Sequence, residues 1–198
     1  MTNKISTFTQ KKYYSSNPLR RFLINIFLKK VLFEIKDQKV SSLLDIDCGE
    51  GQVDNFLLSH NSDLKITGVD FDKEALRKAK VNCPEMTVKK ADIYHLPFSD
   101  KSFDLIICLE VLEHLNKPEL ALKEFKRVGQ RFLISVPHEP FFSLASFFSG
   151  KYLGHFGKHP EHLQFWSEKG FKKLLKKYFR NFKIKKSFPW LIAKGRLE

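Results

Sequence analysis

Residues 43–52 read LLDIDCGEGQ: an apolar run, an aspartate and a turn that holds two glycines. Gly49 and Gly51 permit a tight turn and let a ligand approach the backbone closely. Asp45, within the apolar run, is placed to orient the turn and to meet an ammonium group of a ligand. In an open parallel sheet, ligands bind outside the carboxyl ends of the strands. The stretch therefore predicts a strand, a ligand-binding loop and a helix, in that order.

Acidic residues recur where the next two strands are predicted to end. Asp70 ends the run KITGVD, where a carboxylate can bind both hydroxyls of a ribose. Asp92 and Ile93 follow the third run, where a carboxylate and a backbone amide could bind an adenine edge. A nicotinamide-type fingerprint would need a third glycine at position 54, where the chain has Asp54. This order of acidic residues favours a nucleoside-bearing ligand with an amino-acid part.

Apolar runs alternate with helical patterns along most of the chain. The alternation predicts a mostly parallel sheet with helices on both faces. The runs are rich in Leu, Ile and Val, as expected of strands buried on both sides. The predicted strands are residues 41–46, 65–70, 86–92, 103–109, 131–136, 182–188 and 190–194. The predicted helices are residues 53–61, 72–81, 116–127 and 167–179.

Residues 1–40 are predicted to be a leader that caps the body of the chain, residues 41–198. An amphipathic helix is expected to begin near Asn17 and Pro18. We expect its apolar stripe to pack over the site side of the sheet as a lid, and peripheral membrane contact is the alternative. The stripe consists of Ile24, Phe27, Leu28, Val31, Leu32 and Ile35.

Composition limits the class of protein. A chain of 198 residues with 42% hydrophobic residues fits one domain. Three cysteines at no metal-like spacing predict a reducing compartment, and the polar N-terminus lacks the apolar core of a signal peptide. We therefore predict a cytoplasmic protein. The net charge of +13 is compatible with nucleic-acid binding, but it is spread along the whole chain, so that partner is less favoured.

Four blocks of the sequence resemble the class I S-adenosylmethionine-dependent methyltransferases, particularly the type-11 group. They are LLDIDCGEG, GVDFDKEAL, ADIYHLPFSDKSFDLIICLEVLEHL and FLISVP, within residues 41–137. The resemblance implies S-adenosylmethionine as cofactor and a Rossmann-like sheet of seven strands, the last of them antiparallel. The predicted cofactor-binding residues are Asp45, Asp47, Cys48, Gly49, Glu50, Gly51, Asp70, Phe71, Asp92, Ile93, Leu109 and Glu110.

Asp47 departs from the pattern of that family, which usually has glycine or another small residue at this position. A carboxylate there would repel the methionine carboxylate of the cofactor if the two faced each other. We favour a side chain that points away and is tolerated. The alternative is a salt bridge from Asp47 to the cofactor's ammonium group.

Residues 137–166 are predicted to form an aromatic lid over the acceptor, because they follow the fifth strand beside the cofactor. His138 is the first candidate for a general base, and His162 is the second. Three histidines of the segment, His155, His159 and His162, lack nearby cysteines and have few carboxylates, so we predict no metal site.

After the fourth strand, the resemblance implies that Glu110, Glu113 and His114 shape the mouth of the cofactor site, with His114 a hydrogen-bonded structural residue. The predicted function is methylation of a small or lipid-like acceptor, most plausibly at oxygen. One alternative is an RNA or protein methyltransferase, which the surplus positive charge supports. Another is a non-catalytic binding module, which Asp47 suggests.

Overall fold

The computed structural model describes residues 17–36, 38, 40–148 and 161–197. Its strands are β1 (Ser42–Ile46), β2 (Lys65–Asp70), β3 (Thr87–Lys90), β4 (Phe103–Leu109), β5 (Gly129–Pro137), β6 (Phe182–Ser187) and β7 (Trp190–Arg196). Its helices are α1 (Pro18–Lys36), α2 (Gln52–Leu58), α3 (Lys73–Asn82), α4 (Pro118–Val128), α5 (Phe141–Phe148) and α6 (Glu168–Lys176). A short 3₁₀ turn spans Leu112–His114.

The seven strands form one sheet in the order β3-β2-β1-β4-β5-β7-β6. Strands β1 to β5 pair in parallel, whereas β7 runs antiparallel to both of its neighbours, β5 and β6. The predicted Rossmann-like sheet with an antiparallel last strand is therefore confirmed. Strand order reverses between β1 and β4, and this switch point is where a ligand of such a sheet binds.

The sheet is covered on both faces. One face packs on α1, α2 and α3 through residues such as Phe27, Leu57 and Ala79. The other packs on α4 and α6 through Phe125 and Phe171. Each such apolar side chain contributes about 1.5–3 kcal/mol when fully buried, so the two layers fix the positions of the strand ends.

Sequence signals at the helix ends agree with the observed boundaries. Helix α3 follows Asp72, whose side chain accepts a hydrogen bond from the Glu74 N–H at 2.8 Å. Helix α4 has Pro118 at its start, where the missing N–H costs nothing. Helix α6 follows Ser167, whose hydroxyl oxygen accepts from the Gly170 N–H at 3.2 Å. At most of the helix ends, the boundary predicted from the sequence lies within a few residues of the observed boundary.

Helix α1 lies along one face of the sheet. The Phe27 ring packs on Trp190 at a centroid distance of 4.8 Å, and Trp190 pairs with Pro137 at the carboxyl end of β5. At the far end of the helix, the Arg131 guanidinium donates to the Gln38 carbonyl, near the start of β5. The helix thus caps a face of the sheet, and its N-terminal half reaches the edge where the parallel strands end.

A buried carboxylate anchors α1 to the last two strands. Glu34 is fully buried, and its two carboxylate oxygens lie 2.7 Å from the Lys185 ammonium and 2.8 Å from the Lys194 ammonium. Both lysines hold the pKa of Glu34 below its usual value, although burial acts in the opposite direction. The buried face of α1 thus holds a paired carboxylate in addition to the apolar stripe predicted from the sequence.

No helix within the described residues has the length and apolarity needed to cross a membrane.

Candidate functional site

The β1–α2 loop turns through three residues with positive φ. These are Asp47 at 65°, Gly49 at 56° and Gly51 at 75°. A Cβ atom at Gly51 would lie 3.3 Å from the Cα and Cβ atoms of Ala79, so a side chain there would crowd α3 in addition to straining the backbone. A Cβ atom at Gly49 would face open space, which leaves this part of the backbone accessible to a ligand.

Asp70 ties this loop to the end of β2. Its carboxylate accepts the Gly49 N–H at 2.9 Å and the Asp72 N–H at 2.7 Å. The Phe71 backbone N–H also donates to this carboxylate, whose two oxygens can together accept about four hydrogen bonds, so it can accept one from a hydroxyl group as well. Burial raises the pKa of Asp70, and the backbone N–H donors of Asp72, Gly49 and Phe71 oppose that effect. The placement predicted for a ribose-binding carboxylate is therefore compatible with the geometry.

Asp47 occupies a conformation that favours glycine, and its carboxyl group is close to two others. Burial is the main cause that raises the pKa of Asp47 to about 8, and the charges of Asp70 and Asp72 add to it. A neutral carboxyl group at this position would not repel a carboxylate of the cofactor. This supports the interpretation that the site tolerates Asp47, because the two carboxyl groups would not repel each other.

A second carboxyl pair lies beneath the loop. Asp45 and Asp54 are both buried and interact directly, at the end of β1 and in the first turn of α2. Burial and the neighbouring Asp54 raise the pKa of Asp45, and burial raises the pKa of Asp54 to about 7. Asp54 is thus an inward-facing partner of Asp45, a role that its place in the glycine pattern did not suggest.

Cys48 and Glu50 direct their side chains away from the open side of Gly49. The Cys48 sulfur packs in the core against β2, 2.8 Å from where a Cβ on Gly68 would lie. The Glu50 carboxylate bonds to the Lys78 ammonium at 2.8 Å. Their predicted contacts with the cofactor would therefore be made by backbone atoms.

Around the ends of β2 and β3, three of the predicted cofactor-binding residues, Phe71, Asp92 and Ile93, are at least partly exposed. Phe71 is 53% exposed, and the Lys90 ammonium lies 4.8 Å from its ring centroid. Asp92 accepts the Tyr94 N–H at 2.9 Å, and Ile93 is half-buried. A planar base could stack on the Phe71 ring.

The end of β4 forms the other wall of the site. Leu109 and Glu110 are both buried, and Glu110 has a positive φ of 64°. The Glu110 carboxylate accepts hydrogen bonds from the Trp190 indole N–H and from the Ser135 hydroxyl. Its orientation is thus fixed by β5 and β7.

His138 follows β5 and is held on two sides. The backbone N–H of His138 donates to the Pro189 carbonyl, and the backbone N–H of the next residue, Glu139, donates to the Trp166 carbonyl. The imidazole is buried against the Phe141 ring at 4.8 Å. Burial first, and then the charge of Lys186, lowers the pKa of His138, so the ring is neutral at pH 7 and able to accept a proton.

His162 approaches the site from the other end of the predicted lid. Its ring lies 4.9 Å from that of His114 and 5.5 Å from that of Phe142, measured between centroids. One ligand atom from each of Glu113, His114 and His162 lies within 4.8 Å of the others. These residues could hold a metal ion. The prediction of no metal weighed only carboxylates close in sequence to His162, whereas Glu113 and His114 come from the turn after β4.

His155 and His159, together with residues 149–160 of the predicted lid, lie outside the described residues.

A sequence model of a methyltransferase domain family matches residues 44–131. This segment holds the glycine loop, Asp70, Asp92 and the turn after β4. The match makes residues 44–131 similar to a methyltransferase domain, and the sheet order and the loop geometry agree with that similarity. More specifically, residues 44–131 correspond to the family described as "Methyltransferase domain", and this class of domain implies S-adenosylmethionine as cofactor.

Similar proteins agree with this class. The chain is 34% identical over 102 residues to an uncharacterized methyltransferase of Schizosaccharomyces pombe, which covers 46% of this chain and 37% of the relative. It is 30% identical over 117 residues to a ubiquinone biosynthesis O-methyltransferase of Rickettsia bellii, which covers 57% and 46% of the two chains. The chain thus spans less than half the length of these relatives.

A solved structure of a SAM-dependent methyltransferase from Thermotoga maritima matches with a TM-score of 0.70 at 17% identity. The alignment covers 96% of this chain and 95% of that one. At this identity the similarity concerns the fold.

Proposed function

We propose that the protein transfers a methyl group from S-adenosylmethionine to an oxygen atom of a small or lipid-like acceptor. The loop at Gly49, held by Asp70, carries the proposal, because it joins an accessible backbone to a carboxylate that can accept a further hydrogen bond. The predicted cofactor-binding residues other than Asp45 line or adjoin this loop and the neighbouring strand ends. Asp45 would support the loop from beneath, where its carboxyl group interacts with that of Asp54.

S-adenosylmethionine, when bound, supplies a sulfonium methyl group that an acceptor displaces in line. The acceptor oxygen forms the new O–CH₃ bond, the electrons of the S–CH₃ bond stay on sulfur, and the hydroxyl proton leaves to a base. His138 is our first candidate for that base, because its buried ring is neutral at pH 7. His162 is the second, since it faces the same wall formed by the start of α5.

Aromatic and apolar side chains around His138 and His162 support an apolar acceptor. Phe142 and Phe165 pack on His162, and Phe141 packs on His138. Phe141 and Phe188 are 46% and 56% exposed and 6.5 Å apart, so they offer apolar surface beside the site. An apolar body with one hydroxyl group fits this combination.

Methylation at oxygen is supported by the name of the Rickettsia relative, an O-methyltransferase. The alternative acceptor is RNA or protein, and the net charge of +13 is the observation in its favour. The exposed apolar rings beside His138 favour the lipid-like acceptor over these.

The test is transfer of a radiolabelled methyl group from S-adenosylmethionine to components of a cell extract, followed by fractionation into lipid, small-molecule, RNA and protein pools. We expect label in the lipid or small-molecule pool. The Asp70→Asn variant is the matched negative control, and Asp63→Asn, an exposed aspartate before β2, is the positive one. Label in RNA or protein would support the alternative, and absence of labelled product in all pools would support the non-catalytic module.

A further inference from the structure

We propose that Glu113, His114 and His162 form a binding site for a divalent transition-metal ion beside the acceptor. Two imidazoles and one carboxylate converge there, with one ligand atom from each within 4.8 Å of the others. Ligands on opposite sides of an ion with bonds of about 2.0–2.2 Å lie about 4.2 Å apart, so small side-chain rotations would close the site.

The position of these residues follows from the sheet. Glu113 and His114 stand in the 3₁₀ turn that follows β4, and β4 is the direct neighbour of β1. The glycine loop that starts at Asp47 leaves the same edge of the sheet. An ion held by Glu113 and His114 would therefore lie on the side of the domain where the cofactor and acceptor meet.

His114 is oriented as a metal ligand usually is. Its Nδ1 lies 3.0 Å from the Glu161 carbonyl oxygen, so Nδ1 carries the proton and donates. Nε2 is then the ring nitrogen that could bind an ion. A hydrogen bond from the second ring nitrogen to a carbonyl is the common way in which proteins fix the tautomer of a metal-binding histidine.

The segment that carries His162 is fastened to the same turn. The Leu163 and Gln164 N–H groups both donate to the Glu113 carbonyl, at 2.8 and 3.0 Å. The Gln164 side chain also donates to the Leu115 carbonyl at 3.2 Å. Two segments about 50 positions apart are therefore held together by these hydrogen bonds, and the three side chains need no large rearrangement before an ion binds.

The ligand set selects the kind of ion. Two imidazoles with one carboxylate suit Fe²⁺, Co²⁺, Zn²⁺ or Mn²⁺ and leave coordination positions open, whereas Mg²⁺ and Ca²⁺ prefer oxygen ligands throughout. Glu113 and His114 are 1% and 9% exposed, so the ion would be largely shielded from bulk water.

An open position on the ion could take the acceptor's hydroxyl oxygen. A bound metal lowers the pKa of a coordinated hydroxyl and orients it, which would favour loss of its proton before methyl transfer. This role rests on the proposed methyl transfer to oxygen, whereas binding of the ion does not.

The test of the site is titration of the full chain with Co²⁺ after treatment with a chelator, without cofactor or acceptor. We expect one Co²⁺ per chain, seen by calorimetry and by visible absorption of the coordinated ion. Glu113→Gln and His162→Gln should each weaken Co²⁺ binding by more than about tenfold, since each removes one of three ligands. His60→Gln, an exposed histidine at the end of α2, is the matched control and should bind as the unchanged chain does.

Absence of saturable Co²⁺ binding, or an equal affinity for Co²⁺ in the two site variants and the control, would overturn the proposed metal site. Glu113 is buried, so unfolding of Glu113→Gln is checked by its thermal transition; the half-buried His162 provides the second, independent variant. Methyl transfer is measured separately with and without the chelator. Transfer that persists without metal would overturn the role of the ion alone, and Co²⁺ binding without any transfer would overturn only the proposed function.

Discussion

The indole N–H of Trp190 donates a hydrogen bond to the carboxylate of Glu110, joining the first residue of β7 to the residue after β4. Glu110 has a positive φ and also accepts the Ser135 hydroxyl at 3.4 Å. The Phe27 ring of α1 packs on the same indole, with 4.8 Å between the ring centroids. Three elements far apart in sequence thus meet at one wall of the proposed cofactor site.

Trp190→Phe keeps an aromatic ring under Phe27 but removes the donor to Glu110. We expect the free energy of unfolding to fall by about 1.5–3 kcal/mol, the usual worth of a hydrogen bond to a charged group. Urea denaturation measures it. Trp166→Phe, a half-buried indole that packs on Phe171, is the control. Equal losses in both variants would show that ring size, and not the bond to Glu110, determines the effect.

Asp70→Asn should weaken S-adenosylmethionine binding. The variant keeps the shape of the side chain but loses the charge that strengthens bonds to the ribose hydroxyls, each worth about 1.5–3 kcal/mol. Calorimetry measures the dissociation constant, with Asp63→Asn as the control at an exposed loop position. An unchanged affinity in Asp70→Asn would remove Asp70 from the cofactor site.

Asp47 should make stability depend on pH. Its pKa is about 8 in the folded chain and ordinarily 3.8, so the folded state holds this proton over a range where the unfolded state has lost it. The contribution of this proton to the free energy of unfolding is complete below pH 4. It is lost as the pH rises through 8, by up to about 1.4 kcal/mol per pH unit.

Asp47→Asn isolates that contribution, because asparagine tolerates a positive φ and cannot ionise. We expect the variant to gain stability relative to the unchanged chain between pH 5 and pH 9, in denaturation curves taken at each pH. A stability difference that does not change with pH would show that Asp47 keeps an ordinary pKa.

Glu34→Gln should loosen α1 from β6 and β7. The glutamine cannot neutralise Lys185 and Lys194, and we expect a loss of about 1–3 kcal/mol in the free energy of unfolding. Lys30→Ala removes the longer contact of 3.8 Å, made by a partly exposed ammonium, and should change stability by less than about 0.5 kcal/mol. If Lys30→Ala costs as much as Glu34→Gln, the buried pairs are not the main anchor.

His138→Gln should lower the rate of methyl transfer once an acceptor is known, by about 10²–10⁴-fold if His138 is the base. Because burial lowers the pKa of His138, the rate of the unchanged enzyme should fall with decreasing pH only below about 6.5. The pH–rate profile of the variant should lack this limb. A rate within a few-fold of the original, with the limb retained, would show that His138 is not the base.

The central strands were predictable because they are buried on both faces. The runs KITGVD and FDLIICL coincide with β2 and β4 residue by residue, since continuous apolar sequence leaves few alternatives. Burial of Glu34 was missed, because its two lysines lie about 150 residues further along the chain. The same holds for Asp54, whose position relative to Asp45 depends on where α2 begins.

The proximity of His162 to Glu113 and His114 could not be predicted from spacing. It depends on backbone hydrogen bonds between the turn after β4 and residues 163–164, which no local pattern in the sequence indicates. The glycine loop, in contrast, is a local feature, so its residues were recognisable from ten letters of sequence.

The place of β7 between β5 and β6 has a consequence for synthesis on the ribosome. Strand β5 ends at Pro137, but the strand that pairs with its free edge begins only at Trp190. Until that segment emerges, the nascent chain presents an unpaired edge flanked by apolar side chains such as Phe132, which is the kind of surface that promotes aggregation. Efficient folding would therefore benefit from a chaperone that shields this edge until β7 is in place.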